Sequence, residues 1–211
     1  MKNNLIAFLI SAILTSISYF LGLLFHWVET PPFLELFSVF TSYWCTYLCV
    51  FQSRLNYPIG AVSVASLGLL FYQQSLYASM ALQLWLFPAM LYGWLRWGPD
   101  KSTRKVTRLR LDWWLAAYAG FTFGIYLICY WLNFSLSGEM PALDSSILIL
   151  SILAQFLMDN KKIENWGVWL IVDIISTYEY AGQGLPVLSI QMALFGLNAL
   201  WGWYEWRKTN A

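Results

Sequence analysis

The chain has 211 residues, of which 59% are hydrophobic, 19% aromatic and only 11% charged, with a formal net charge of +1. Soluble domains carry about 25% charged residues, so the composition excludes an ordinary soluble protein and favours an integral membrane protein with several spans. The three cysteines are an odd number within apolar stretches, which argues against a disulfide framework. One histidine and no Cys/His cluster predict neither a metal site nor a cofactor.

Eight stretches are apolar over the roughly 20 residues, or about 17 at the short end, that a membrane-spanning helix needs. The first follows Lys2 as a signal peptide would, but it is longer than an ordinary signal core and no cleavage motif follows it. We therefore predict that it is a retained span. The predicted spans lie at about 5–27, 34–52, 57–73, 76–97, 113–134, 143–159, 165–181 and 185–206.

The basic residues fall on one side of this predicted topology. With the amino terminus in the cytoplasm, all 12 Lys and Arg residues lie in or beside cytoplasmic segments, and the opposite loops have none. This distribution follows the positive-inside rule and predicts a multi-pass protein with both termini in the cytoplasm. The basic run at 101–110 resembles a nucleic-acid-binding patch, but a topology determinant explains it better, so no nucleic acid partner is expected.

Two parts of the sequence repeat each other at an offset of 109 residues. Gly93-Trp-x-x-Trp97 recurs as Gly202-Trp-x-x-Trp206. The copies are four spans apart, so they are predicted to cross the membrane in the same direction, as in parallel-repeat carriers of the SWEET type. The predicted fold is an all-α integral membrane protein with eight spans, an extra first helix and a 3+1+3 core. Its parts are an accessory helix at 1–30, a three-helix repeat at 34–98, a basic cytoplasmic loop and linker helix at 99–140, a second three-helix repeat at 143–206 and a tail at 207–211.

Polar residues at helical spacing interrupt the apolar spans. An ionisable group near the bilayer centre costs about 2.5–3.5 kcal/mol and usually faces a cavity, and Asp173 lies near the centre of the seventh span. Stripes of rings, amides and hydroxyls continue on the fourth, sixth and eighth spans. Packing between helices is the alternative role for each amide or hydroxyl. The predicted substrate-binding residues are Gln83, Phe87, Ser151, Gln155, Trp169, Asp173, Tyr178, Gln191 and Asn198.

Four tryptophans lie at the predicted cytoplasmic ends of the fourth and eighth spans. Trp94, Trp97, Trp203 and Trp206 either belong to the aromatic belt of the membrane interface or form a gate below the cavity. Glu179, near the outer end of the seventh span, is expected to be solvated.

The chemistry of the stripes limits the ligand. Aromatic faces attract cations, and amides both donate and accept hydrogen bonds. No Lys or Arg lies in the middle of a predicted span, so nothing there would clamp a phosphate. The expected ligand is small, ring-bearing, neutral or cationic, and unphosphorylated. An intramembrane enzyme would need a nucleophile with its base, or a metal, and a scaffold subunit would need no polar interior, so both alternatives are disfavoured.

Residues spread over about 34–206 together resemble the sequence pattern of a known protein family. The first half contributes Asn56, Tyr57, Pro58, Gly60, Tyr72, Leu76, Tyr77, Leu82, Gln83, Gly93, Trp94 and Trp97. The second half contributes Asp144, Ser151, Gln155, Lys162, Glu164, Trp166, Trp169, Asp173, Gly184, Leu185, Gly202 and Trp206. In this order and spacing, the chain resembles the PnuC family of bacterial nicotinamide riboside transporters.

The resemblance implies a seven-helix 3+1+3 core related to SWEET carriers, often assembled as a homotrimer in the bacterial inner membrane. It implies facilitated diffusion of nicotinamide riboside, a precursor of NAD, into the cytoplasm, where a kinase traps the product by phosphorylation. It implies no enzymatic activity and no cofactor. Relatives of this family carry other vitamins, so thiamine or another unphosphorylated vitamin is the alternative substrate.

Overall fold

The computed structural model describes residues 2–24, 33–73, 77–98, 105–109, 141–182 and 186–208, with isolated helical positions between 120 and 135. Apart from one bridge between Thr107 and Lys162, these ranges contain no strand, so the all-α prediction is confirmed. The predicted fifth span, 113–134, lies largely outside the described residues, as do the loop at 25–32 and most of the basic run. The named helices are α1 (Lys2–Leu24), α2 (Phe33–Val50), α3 (Asn56–Gln73), α4 (Tyr77–Trp97), α5 (Pro141–Asp159), α6 (Asn165–Gly182) and α7 (Pro186–Lys208).

The tight turn after α2 recurs after α5. Gln52 and Lys161, which are 109 residues apart, both adopt positive φ, at 52° and 48°. Around Gln52, the amide of Ser53 donates to the Leu48 carbonyl at 2.9 Å. Around Lys161, the equivalent bonds run from Lys162 to Leu157 and from Lys161 to Met158, each at 2.8 Å. This is the Schellman pattern, which satisfies the last carbonyls of a helix. Each turn therefore reverses the chain directly after its helix and places the next helix beside it.

The helices pack as two groups with α1 outside them. α3 packs between α2 and α4, and α6 packs between α5 and α7, while α2 meets α7 and α4 meets α5 across the boundary. α1 lies against α2, with the small side chains of Ala7, Ser11 and Ser18 buried and Ser18 Oγ 3.2 Å from Tyr43 Oη. Its opposite face exposes Leu5 and Ile13, as expected of a helix that faces lipid.

Among the described residues, two helices are long and apolar enough to span a membrane. They are 4–24 and 33–50, with mean hydropathies of 2.1 and 1.3. The later helices carry amides, hydroxyls and carboxylates on their inner faces, which lowers their mean hydropathy. One of these groups corrects a sequence prediction: Glu179 of α6 is only 3% exposed and is therefore packed inside the protein rather than solvated.

A candidate substrate cavity between the two helix groups

A cavity of about 210 Å³ lies between the two groups of helices. Each helix from α2 to α7 contributes to its wall, and α1 contributes none of the lining residues. The polar lining residues include Ser42, Asn56, Ser63, Gln83, Ser151, Gln155, Asp173, Ser176, Gln191 and Asn198, and the aromatic ones are Phe71, Trp166, Trp169, Tyr180 and Phe195. Among these described lining residues, Asp173 is the one with a carboxyl group, and none is Lys or Arg.

The structure brings most of the predicted substrate-binding residues together. Seven line the cavity: Gln83, Ser151, Gln155, Trp169, Asp173, Gln191 and Asn198. They come from four helices, α4 to α7. The polar stripes in the sequence predict that these residues meet in one cavity.

Two of the predicted residues, Phe87 and Tyr178, do not line the cavity. Phe87 is 42% exposed because the inward face of α4 runs through Gln83, Leu86 and Met90. Tyr178 is 68% exposed on the outer side of α6, where Tyr180 turns inward instead. The helical period fixed which residues share a face but not how each helix is rotated about its axis.

Several polar atoms that line the cavity have no hydrogen-bond partner within the protein. Asn198 is 3% exposed, and both its side-chain oxygen and its nitrogen are unpaired. Gln191 Oε1 and Trp169 Nε1 are also buried and unpaired. Buried polar groups are nearly always bonded, and leaving one unsatisfied costs about 1–3 kcal/mol. The arrangement therefore suits a polar ligand that supplies the missing partners.

The carboxyl group in the cavity lies on one side of it. Asp173 of α6 is buried in the wall beside Gly196 of α7, whose missing Cβ would lie 3.7 Å from the Asp173 Cβ. At the equivalent place in the first group of helices, 109 residues earlier, Val64 lines the cavity. A positively charged ligand is therefore expected to orient toward α6.

Four aromatic rings form a cluster at the end of the cavity nearest the two tight turns. We call this cluster the aromatic floor; it consists of Tyr57, Trp97, Trp166 and Trp206. The rings of Tyr57 and Trp97 meet edge-to-face at 5.1 Å, and those of Trp166 and Trp206 do so at 5.4 Å. Trp97 and Trp206 lie 6.1 Å apart. All four side chains are almost fully buried, and Trp166 also lines the cavity.

Hydrogen bonds from the floor cross between the two helix groups. Trp97 Nε1 donates to the carbonyl of Met158 on α5, and Trp206 Nε1 donates to the carbonyl of Cys49 on α2, both at 3.2 Å. Met158 and Cys49 are themselves 109 residues apart. Each tryptophan thus ties the end of one group to the opposite group through the same contact.

The glycine of each Gly-Trp-x-x-Trp motif makes room for the floor. A Cβ on Gly202 would lie 2.5 Å from the ring of Trp166, and a Cβ on Gly93 would collide with the ring of Tyr57. The motif therefore requires glycine at its first position because an aromatic ring occupies the space of the side chain. Tyr57 and Trp166 were not predicted as gate residues, although the offset of 109 pairs them.

The predicted gate tryptophans separate into two kinds. Trp97 and Trp206 belong to the aromatic floor, whereas Trp94 and Trp203 lie outside it. Arg54 Cζ lies 3.8 Å above the ring of Trp94, and Arg54 Nε donates to the Trp94 carbonyl at 2.9 Å. Trp203 is 37% exposed. The second tryptophan of each motif is thus buried in the floor, whereas Trp94 is partly buried and Trp203 is exposed.

Sequence reasoning missed a buried carboxylate beside the floor. Asp159, the last residue of α5, is 2% exposed and accepts hydrogen bonds from Tyr57 Oη at 2.9 Å and from Gln155 Nε2 at 2.8 Å. Lys161 is also buried, with Nζ 4.7 Å from the centroid of the Trp97 ring. In the sequence, both residues resemble an ordinary charged turn after a span, so only the fold reveals that they are buried.

Comparisons with known proteins agree with this architecture. The sequence model of the family described as nicotinamide mononucleotide transporter matches residues 32–208. The nicotinamide riboside transporter PnuC of Escherichia coli (strain K12) is 30% identical, over 77% of this chain and 80% of its own length. The riboflavin/roseoflavin transporter RibM of Streptomyces davaonensis is 27% identical, over 74% and 75%.

A solved structure supports the fold. The crystal structure of the vitamin B3 transporter PnuC superposes with a TM-score of 0.71 and 18% identity, covering 99% of this chain and 92% of the other. At that identity the likeness concerns the fold alone, whereas the family match extends over most of the sequence. The resemblance seen in the sequence is thereby confirmed, and the chain belongs to this family of membrane transporters, that of PnuC.

Proposed function

We propose that the protein carries nicotinamide riboside across the bacterial inner membrane by facilitated diffusion, with the cavity as its binding site. The observation that carries the proposal is the set of buried, unpaired polar atoms at Asn198, Gln191 and Trp169. They lie in a cavity with one carboxylate and, among its described lining residues, no base. Relatives named nicotinamide riboside transporters support the same substrate.

Each part of this substrate finds complementary chemistry in the wall. The amide of Asn198 has one donor group and one acceptor group, and can pair with the carboxamide of the ligand in both directions. The face of Trp169 suits the cationic pyridinium ring. Asp173 supplies the opposite charge or accepts from a ribose hydroxyl. Gln83, Ser151 and Gln191 provide further partners for the ribose.

A binding panel with purified protein tests the substrate. We expect nicotinamide riboside to bind more tightly than nicotinamide, which lacks the positive charge and the ribose. The mononucleotide should bind poorly because no lining Lys or Arg would compensate its phosphate. Tight binding of the mononucleotide would contradict the proposal, and preferential binding of thiamine would favour the alternative vitamin substrate.

The 3+1+3 arrangement of two parallel repeats is part of the proposal. The recurrence of the tight turns, of the floor contacts and of the crossing tryptophan bonds at one offset supports it. In this topology, the floor faces the cytoplasm and acts as the gate, and both termini are cytoplasmic. A carboxy-terminal green fluorescent protein fusion should therefore fluoresce, whereas alkaline phosphatase at the same position should be inactive.

The direction of net uptake follows from the same chemistry. A kinase in the cytoplasm would add a phosphate that the cavity cannot hold, so the product would not leave by the same route. Uptake into liposomes that contain the purified protein and no kinase should stop when the substrate reaches equilibrium. Adding kinase and ATP inside the liposomes should prolong uptake.

The proposed assembly is a homotrimer.

A further inference from the structure

Sulfur-bearing side chains from two helices meet in the wall of the cavity. Cys45 and Cys49, one turn apart on α2, both line the cavity. Met90 of α4 lines the same wall. Its Sδ and the Cys45 Sγ lie 2.8 and 2.9 Å from the point that a Cβ on Gly60 would occupy. Gly60 therefore leaves the space in which sulfurs from α2 and α4 come together.

The two thiols differ in accessibility. Cys45 is half-buried and donates to the carbonyl of Asn56 at 3.3 Å, whereas Cys49 is buried. An ion that enters the cavity would reach Cys45 first and would compete only with a weak sulfur hydrogen bond. None of the roles proposed for transport uses these sulfurs.

We propose that Cys45, Cys49 and Met90 form a binding site for a soft monovalent metal ion such as Ag⁺ or Cu⁺. Thiolate and thioether ligands are those that select such ions. On binding, one S–H bond breaks, the proton leaves through the cavity, and the thiolate sulfur forms a bond to the metal. The second thiol and the thioether coordinate as neutral donors. The charges of ion and thiolate cancel, so the filled site is neutral, as a largely apolar wall requires.

Occupancy of this site has a consequence for transport. The sulfurs share the cavity with Gln83 and Asn198, so a bound ion would obstruct substrate passage. This consequence rests on the proposed function, whereas the metal site itself does not. Direct metal binding and inhibition of uptake are therefore measured separately.

Equilibrium dialysis of the purified protein against Ag⁺, followed by elemental analysis, tests the site. We expect one tightly bound ion per chain in the wild type and in Cys129→Ser. The double variant Cys45→Ser/Cys49→Ser should bind at least about tenfold more weakly, since even groups that only support metal ligands are worth about 10–100-fold in affinity. Unchanged binding by the double variant, or loss of binding in Cys129→Ser, would overturn the proposal.

Two further variants keep the test decisive if the double variant does not fold. Met90→Leu retains the volume of the side chain but removes the thioether, and Cys45→Ala removes the accessible thiol. Each should weaken Ag⁺ binding, and wild-type affinity in both would overturn the site. In liposomes, Ag⁺ should inhibit uptake by the wild type but not by Cys45→Ala. Tight Ag⁺ binding without inhibition would overturn the obstruction and leave the site standing.

Discussion

The hydroxyl of Tyr57 on α3 donates a 2.9 Å hydrogen bond to the carboxylate of Asp159, which lies 102 residues away at the end of α5. The bond joins the two helix groups beside the aromatic floor, and Gln155 donates to the same carboxylate oxygen at 2.8 Å. A hydrogen bond to a buried charged group is worth about 1.5–3 kcal/mol. The aromatic floor is therefore held together by polar contacts as well as by ring packing.

Removing this bond should affect gating more than substrate affinity. We expect Tyr57→Phe to lower the free energy of unfolding by about 1–3 kcal/mol and to change the uptake rate, with little change in the Kd for nicotinamide riboside. Tyr57 is not a lining residue of the cavity, so the binding groups stay in place. Tyr92→Phe is the matched control, because Tyr92 is exposed on α4. A large loss of affinity in Tyr57→Phe alone would show that the floor takes part in binding.

Enlarging the glycine of the second motif should open or destabilise the floor. The Cβ added by Gly202→Ala would lie 2.5 Å from the Trp166 ring, so Trp166 or α7 must shift. Overpacking of this kind costs about 1–3 kcal/mol, which thermal unfolding in detergent would measure. Gly68→Ala is the control, because its Cβ would lie 3.4 Å from Gln83 Cβ, an ordinary contact. Equal unfolding temperatures for the two variants would contradict this account of the motif.

We expect the side chain of Asn198 to lower the stability of the ligand-free protein and to increase its affinity for nicotinamide riboside. Its side-chain oxygen and nitrogen are buried without partners, so we expect Asn198→Leu to raise the thermal stability of the ligand-free protein. The same change should weaken nicotinamide riboside binding by about 5- to 100-fold, the value of one or two hydrogen bonds. Gln155→Leu is the contrasting variant, because Gln155 already donates to Asp159, and it should lower stability. A stability loss in Asn198→Leu would indicate that Asn198 has a structural role.

Asp173 should discriminate between charged and neutral ligands. Asp173→Asn keeps the shape of the side chain but removes its charge. We expect the affinity for the cationic riboside to fall by about tenfold or more, or about 1.4 kcal/mol. The affinity for neutral nicotinamide should change much less. Isothermal titration with both ligands checks this, and equal losses for the two would assign Asp173 to hydrogen bonding alone.

Apolar runs and a repeated motif are enough to predict which segments form helices and which parts of the chain resemble each other. A long apolar run satisfies its backbone hydrogen bonds in a membrane by forming a helix, and the seven named helices agree within a few residues with seven of the predicted spans. The repeated Gly-Trp-x-x-Trp motif also indicated where equivalent contacts would occur. Asp173 could be identified as a cavity residue because an ionisable group in mid-span is costly unless it faces a polar interior.

The rotation of each helix about its axis, and the contacts between the two helix groups, depend on packing between helices. Helical periodicity groups Gln83 with Phe87 equally well as with Met90, and only packing turns Phe87 outward. The same holds for Tyr178 and Tyr180 on α6. Asp159 and Tyr57 are too far apart in the chain for any local pattern to connect them. Their contact, and the four-ring floor beside it, exist because two helix groups close against each other, and the energy of such long-range packing leaves no periodic trace in the sequence.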